Sequence, residues 1–335
     1  MLKELSLLQN FIENNDTYCW LIINPDYMKV MSSDWSCKVK IKTNIDREIC
    51  VKFSDFYQYT KTMWDFELST TDKKLNIKSW KIKGSITIVN KPTYFDQPFN
   101  FSWNNVKFKS KQFIDFTKSM QKYCHNIPQY PNSLWIAYHT NDDWYMTSTD
   151  TMRLVTKNIE CSWNISFIIL PAIIPKITSL AEYCSFDSFD LQVNRWIYIS
   201  NDKIDCHLVM NEVTLPNYFP VINWFVSVNQ ISINKDELVK WLSVSQIWIS
   251  DDMKWTVELH MSNWIIKLMS IDTWCNSDIE LSWKYQSDIK IKVSEKYLKE
   301  MCQLCSDQEI TFDLDSKWII KYSRKWLNIL FWTRQ

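Results

Sequence analysis

The side chains that could do chemistry in this chain are few and poorly placed for it. Its four histidines, His125, His139, His207 and His260, lie far apart, and none has a cysteine or serine plus an acid spaced as nucleophile, base and orienting carboxylate. Each reads as a surface or core histidine. Of the ten cysteines only Cys302 and Cys305 form a C-x-x-C, and without a second pair or a nearby histidine pair they lack the ligands of a zinc site. We read both as small apolar side chains on one helix, "SEKYLKEMCQLC", in a reducing compartment. The acid pairs Asp142–Asp143, Asp251–Asp252 and Asp313–Asp315 flank expected turns, where solvated carboxylates are common, so they do not point to a metal. Neither G-x-x-x-x-G-K-[ST] nor G-x-G-x-x-G occurs. The expectation is a non-catalytic protein without a cofactor or metal.

What remains chemically useful is charge. The 38 Lys and Arg balance the 38 Asp and Glu, so any contact with nucleic acid must come from a local basic face. Lys107, Lys109, Lys111, Lys118 and Lys122 cluster around one amphipathic segment, and Lys235, Lys240, Lys296 and Lys299 fall on two others. The first residues, "MLKELSLLQNFIENN", carry acids, and no apolar run reaches eighteen residues, so neither a secretion signal nor a membrane span is expected. The expected location is cytoplasmic.

The elements that must carry these lysines recur. "LKELSLLQNFIENN" from Leu2, "SKQFIDFTKSMQKYC" from Ser110 and "NKDELVKWLSVSQIW" from Asn234 have apolar residues at helical spacing, with a polar or acidic first turn. A second helix is expected in mid-unit each time. Ser54 and Ser294, each followed by an acid, are the expected N-caps of two of them. In "ILPAIIPKITSLAEYC", Pro171 suits a helix start, and Pro175 must sit in the first turns or restart the helix. Between the helices "SCKVKIKT", "KIKGSITIV", "WTVELHM" and "DIKIKVS" alternate with period two, as strands do. At 335 residues the chain is long enough for two or three domains, and helix, meander, helix, meander, three times over, is the pattern.

On these residues the chain resembles the bacterial-type DNA sliding clamp, the β subunit of DNA polymerase III, over its whole length. Thr149-Asp150-Thr151-Met152-Arg153-Leu154 is similar to the family's T-D-G-H-R-L, and Leu215–Val221, "LPNYFPV", to its F-P-D-Y-x-x-V. "YLKEMCQL" resembles the Y-L-x-x-x-L helix of the third domain, and "ILFWTRQ" the apolar tail closing on an arginine. The resemblance implies an α+β DNA clamp fold of three similar domains, 1–95, 96–224 and 225–335, each with two helices on an antiparallel sheet face. It implies a ring-forming homodimer that encircles double-stranded DNA without reading sequence, with the nine lysines above facing DNA. DNA polymerase and clamp loader would be held through short linear peptides. For the peptide pocket between domains 2 and 3 it implies Thr149, Thr151, Met152, Arg153, Leu154, Pro216, Val221, Ile329, Phe331, Thr333 and Arg334. Met152 replaces the family's histidine, and Trp332 stands where proline is common. The alternative is a clamp-fold structural or interaction protein that does not encircle DNA.

The composition poses a separate question, because there are nineteen Trp and a single glycine, Gly84. Nine Trp directly follow Asp, Asn, Ser or Thr: Trp35, Trp80, Trp103, Trp144, Trp163, Trp224, Trp264, Trp274 and Trp283. Hairpin turns place a positive-φ residue there, which glycine adopts freely and a bulky side chain does not. We expect many of these Trp to be glycines in the living protein, encoded by a reassigned UGA codon. Sequencing the gene should find UGA at these positions; UGG codons would end the idea.

Overall fold

In a computed structural model the described residues are 1–12, 19–32, 35–63, 65–80, 82–96, 104–124, 136–140, 144–150, 152–158, 167–169, 173–184, 188–193, 196–209, 219–245, 256–262, 265–271, 276–282, 284–285, 289–316, 319–324 and 327–333. They form two compact units: Met1–Lys118 with Cys161–Val213, and Ser119–Glu160 with Thr214–Gln335.

In the first unit β1 (Trp20–Asn24), β2 (Tyr27–Met31) and β3 (Trp35–Lys40) form a meander, and the expected strand "SCKVKIKT" falls on β3. Strand β4 (Ile49–Lys52) pairs with β1 and runs directly into helix α2 (Phe53–Thr60). A second meander, β5 (Glu67–Thr70), β6 (Lys74–Lys78) and β7 (Lys83–Thr87), forms its own sheet. The unit is completed by β8 (Asn104–Lys109), β12 (Phe167–Ile169), β13 (Ser188–Val193), β14 (Trp196–Ser200) and β15 (Ile204–Val209). Strands β4-β1-β2-β3-β15-β14-β13-β8 make one eight-stranded sheet whose described pairs are all antiparallel. Helices α1 (Leu2–Gln9) and α4 (Ile174–Cys184) contact one another, with Leu5, Leu7, Leu8, Ile177 and Leu180 buried. Tyr183 donates to Glu4 and Asn10 to Ser179, which tie the polar rims of the two helices. Pro175 sits in the first turn of α4, where its missing N–H costs nothing. Helix α3 (Ser110–Gln121) follows β8 directly.

The second unit repeats the scheme. Meander β9 (Ile136–Thr140), β10 (Trp144–Thr149) and β11 (Arg153–Asn158) stands in one sheet, in the order β9-β10-β11-β24-β23-β22-β16-β20. The partners are β16 (Ser227–Asn234), β20 (Lys284–Tyr285), β22 (Glu309–Asp315), β23 (Ile319–Arg324) and β24 (Leu327–Trp332). Meander β17 (Thr256–Ser262), β18 (Ile265–Ile271) and β19 (Asn276–Ser282), flanked by β21 (Ile289–Ser294), forms a four-stranded sheet. The helices are a short α5 (Phe219–Asn223), α6 (Lys235–Ser245) and α7 (Glu295–Leu304).

All three opening helices and all four named strands stand where sequence placed them. Ser294 caps α7 by accepting from the Tyr297 N–H at 3.4 Å, as expected. Ser54 does not cap α2: the helix starts two residues earlier, at Phe53 behind Lys52, and the Ser54 hydroxyl turns to Asp55 instead. The apolar Phe53, fully buried, sets that start. Cys302 lies on α7, but Cys305 is the extended residue just past its end; burial pushes both thiols up to about 12. Pro171 lies outside the described residues.

The tryptophans divide. Trp80 is the first residue of the two-residue turn between β6 and β7, closed by Ser79 and Ile82 bonding to each other, and it is 92% exposed. That is the turn position where both favoured hairpin types require a positive φ. Trp35 instead starts β3, is buried, and lies 5.7 Å from the Phe11 ring. Trp144 is a strand residue opposite Thr140.

Gly84 has a packing reason to be glycine. A Cβ there would stand 2.7 Å from Cε1 of Tyr59, the α2 side chain that covers β7. Gly84→Ala should therefore cost about 1–3 kcal/mol in urea unfolding, and the cost should largely vanish in a Tyr59→Ala background. An additive double variant would show that Tyr59 is not what holds the position.

Candidate peptide-binding site and basic helices

The motif Thr149–Leu154 forms the turn between β10 and β11, and Asp150 organises it. One carboxylate oxygen accepts from the Met152 and Arg153 N–H groups at 3.1 and 2.8 Å, while the other takes the Arg153 Nε–H at 2.7 Å. The Thr149 hydroxyl donates to the Arg153 carbonyl at 2.6 Å, and the Trp332 N–H to the Met152 carbonyl at 3.1 Å, joining the turn to the C-terminal strand.

Arg153 is almost wholly buried. Besides Asp150 it pairs with Glu300 of α7 and donates to the Lys122 carbonyl just beyond α3. Its guanidinium lies 4.8 Å from the Tyr123 ring and 4.1 Å from the Tyr297 ring. Tyr123, buried too, donates its hydroxyl to the Glu300 carbonyl at 2.8 Å. A planar cation with this many donors suits such a cage, and the neighbouring carboxylates hold its pKa above the usual value against the opposing effect of burial.

The opposite face of the same strands is apolar. Leu154 of β11 stands opposite Leu330 of β24, and with Ile319 they form a buried floor. Val221 and Ile222 of α5, Phe225 and Trp332 pack against that floor and stay partly exposed, and Met152, whose carbonyl holds the Trp332 N–H, is 36% exposed. The Lys321 ammonium lies 5.2 Å from the Phe225 ring, its pKa lowered by burial. The result is a partly exposed apolar surface with a cationic side chain beside it, chemically suited to an apolar anchor and an acidic or carbonyl group.

Of the eleven residues expected at this pocket, Leu154 and Val221 are in the cluster, Met152 is bonded through its carbonyl to Trp332 of the cluster, and Thr149 and Arg153 build the supporting turn. Ile329 and Phe331 are buried on β24 on either side of Leu330, so alternation turns them to the other sheet face, where Phe331 stands opposite Arg153. Thr333 follows the strand; Thr151, Pro216 and Arg334 lie outside the described residues. Leu330, Ile319 and Phe225 were missed, although period two in "ILFW" already pairs Leu330 with Trp332 on one face.

The lysines are distributed over strands as well as helices. Lys107 and Lys109 are on β8, opposite Asp190 and Ser188 of β13, so the expectation that helices carry them is corrected. Lys111 and Lys118 are on α3, with Lys122 just past its end; Lys118 pairs with Glu182 at 3.0 Å and Lys122 donates to Gln303 at 3.2 Å. Lys235 and Lys240 are on α6, Lys296 and Lys299 on α7. Lys235 donates to the Cys305 carbonyl, and Lys299 pairs with Glu295.

With this geometry in hand, the fold is that of the bacterial DNA sliding clamps. The β subunit of DNA polymerase III from Thermotoga maritima superposes with a TM-score of 0.85 at 12% identity, covering 100% of this chain and 96% of its own. That from Caulobacter crescentus gives 0.87 at 14%, with 100% and 97% covered. The Pseudomonas aeruginosa sliding clamp bound to griselimycin gives 0.85 at 12%, again covering 100% and 97%. No protein-family profile and no curated protein sequence matches the chain.

Arg153→Ala should destabilise the second unit by about 3 kcal/mol in urea unfolding, because it leaves the buried Asp150 without its cation. A loss under 1 kcal/mol would show that the turn holds without that pair.

Proposed function

We propose that this protein is a DNA sliding clamp, a non-catalytic processivity factor of the cytoplasm that encircles duplex DNA and tethers polymerase and loader peptides. The observation that carries the reading is the sheet topology. The last strand of one meander pairs with the last strand of another twice, as β3 with β15 and β11 with β24. Two last strands, β7 and β19, are left at sheet ends. A second copy offers the complement of each, so a head-to-tail pair closes both edges in a heterologous but closed assembly. The three domains are 1–95, 96–224 and 225–335, and each compact unit then contains part of the middle one.

The basic residues of α3, α6 and α7 face the enclosed DNA, bound through phosphates and without reading bases. The Leu154–Leu330–Ile319 floor receives a leucine or phenylalanine of a partner peptide, with Met152, Val221, Phe225 and Trp332 as walls.

The test is retention. Loaded onto nicked circular DNA, the protein should stay bound and should be lost within minutes once the circle is linearised; equal loss from both would refute encirclement. Charge reversal of Lys118 together with Lys122 should shorten retention, with an effect that changes with salt because the contacts release counterions. Met152→Asp with Leu330→Asp should weaken polymerase-peptide binding at least tenfold, about 1.4 kcal/mol, while DNA retention persists. Peptide binding that survives would remove the pocket from the reading.

A further inference from the structure

Two cysteines that the proposed function does not use face each other inside the first unit. Cys37 on β3 and Cys206 on β15 are direct register partners, and both are fully buried. The kind of pairing follows from one bond. The Lys40 N–H donates to the Lys203 carbonyl at 2.7 Å, one step beyond the Val39–Ile204 pair. Opposed residues in an antiparallel ladder alternate between hydrogen-bonded and non-hydrogen-bonded pairs. Lys40–Lys203 is bonded, so Lys38–Asp205 is bonded and Cys37–Cys206 is not. Non-bonded pairs have Cα atoms about 4.5 Å apart with side chains drawn together, within the roughly 4.4–6.8 Å span of disulfides. Both thiols are free and buried.

We infer that Cys37 and Cys206 are a disulfide-competent pair, which hydrogen peroxide converts into a covalent staple across the β3–β15 seam. The peroxide transfers oxygen to one thiolate sulfur, forming an S–O bond as its O–O bond breaks and hydroxide leaves. The second thiol then attacks the sulfenic sulfur, the S–S bond forms, the S–O bond breaks, and the departing oxygen leaves as water. Two thiols and one peroxide give one disulfide and two waters.

The surroundings set the rate. Burial pushes the Cys206 thiol well up, which disfavours the reactive thiolate, while Lys176, whose ammonium lies 5.0 Å from the Trp35 ring, opposes this. Oxidation is therefore slow in the closed sheet and proceeds through opening at the seam. Cys184 on α4 is the competing thiol nearby, on a helix rather than in the ladder.

The test uses the reduced full chain treated with hydrogen peroxide, with remaining thiols then alkylated. The expected product is lighter by two hydrogen atoms, gives a non-reducing digest joining the Cys37 and Cys206 peptides, and melts roughly 5–10 °C higher until dithiothreitol is added. Cys206→Ala should lose the joined peptide and Cys184→Ala should keep it, both checked for native circular dichroism. A joined Cys37–Cys184 peptide, sulfinic acid on either cysteine without a cross-link, or no oxidation under conditions that oxidise the urea-unfolded chain would each overturn the inference.

Discussion

An unpaired strand edge is a row of donors and acceptors that water, another strand or a cover must satisfy. This constraint organises the whole chain. Each meander ends on a strand whose far side is open, and within each unit that side is closed by the last strand of a meander distant in sequence: β15 for β3, and β24 for β11. The sheets therefore join segments far apart in the chain, which is why each compact unit is built from two separate stretches of sequence. Strands β7 and β19 stay at sheet ends, and in the proposed function these are the edges that a second copy closes.

The helices answer a second demand. They cover one face of the sheets with leucine, isoleucine and phenylalanine and leave lysines on their polar sides, so the same packing that stabilises the fold collects positive charge. Arg153 links the two faces of one sheet. Its backbone shapes the turn bordering the apolar floor, and its side chain ties that turn to α7 and to the residue ending the α3 segment. A buried cation is expensive unless every donor is matched. Here two carboxylates, a carbonyl and two aromatic rings match it, which fixes the turn in one geometry.

Local signals were legible and non-local ones were not. Helix starts at Leu2, Ser110 and Lys235, the Ser294 cap and the four alternating strands follow from propensity and period within a few residues. Ser54 failed as a cap because burial of Phe53, a tertiary effect, moved the helix start. The clamp resemblance pointed to the motif beside the apolar floor but not to which face of "ILFW" contributes to that floor; Leu330 is assigned to it only once its pairing with Leu154 is known. The cage around Arg153 draws on Tyr123, Tyr297 and Glu300, whose proximity no local pattern encodes. Trp80 is the converse case: its turn was expected from Ser79-Trp80, and it stands exposed where glycine would be free of strain.

The β7 edge offers the most direct measurement. The Ile88 N–H donates to the Lys73 carbonyl, so by alternation the Ser85 N–H points away from β6 toward the open side. Proline at that position removes an edge donor and leaves the β6–β7 ladder intact. Light scattering at micromolar concentration should give twice 40.4 kDa for the native chain and the monomer mass for Ser85→Pro with unchanged circular dichroism. A monomeric native chain, or a Ser85→Pro dimer as stable as the native one, would contradict closure through this edge.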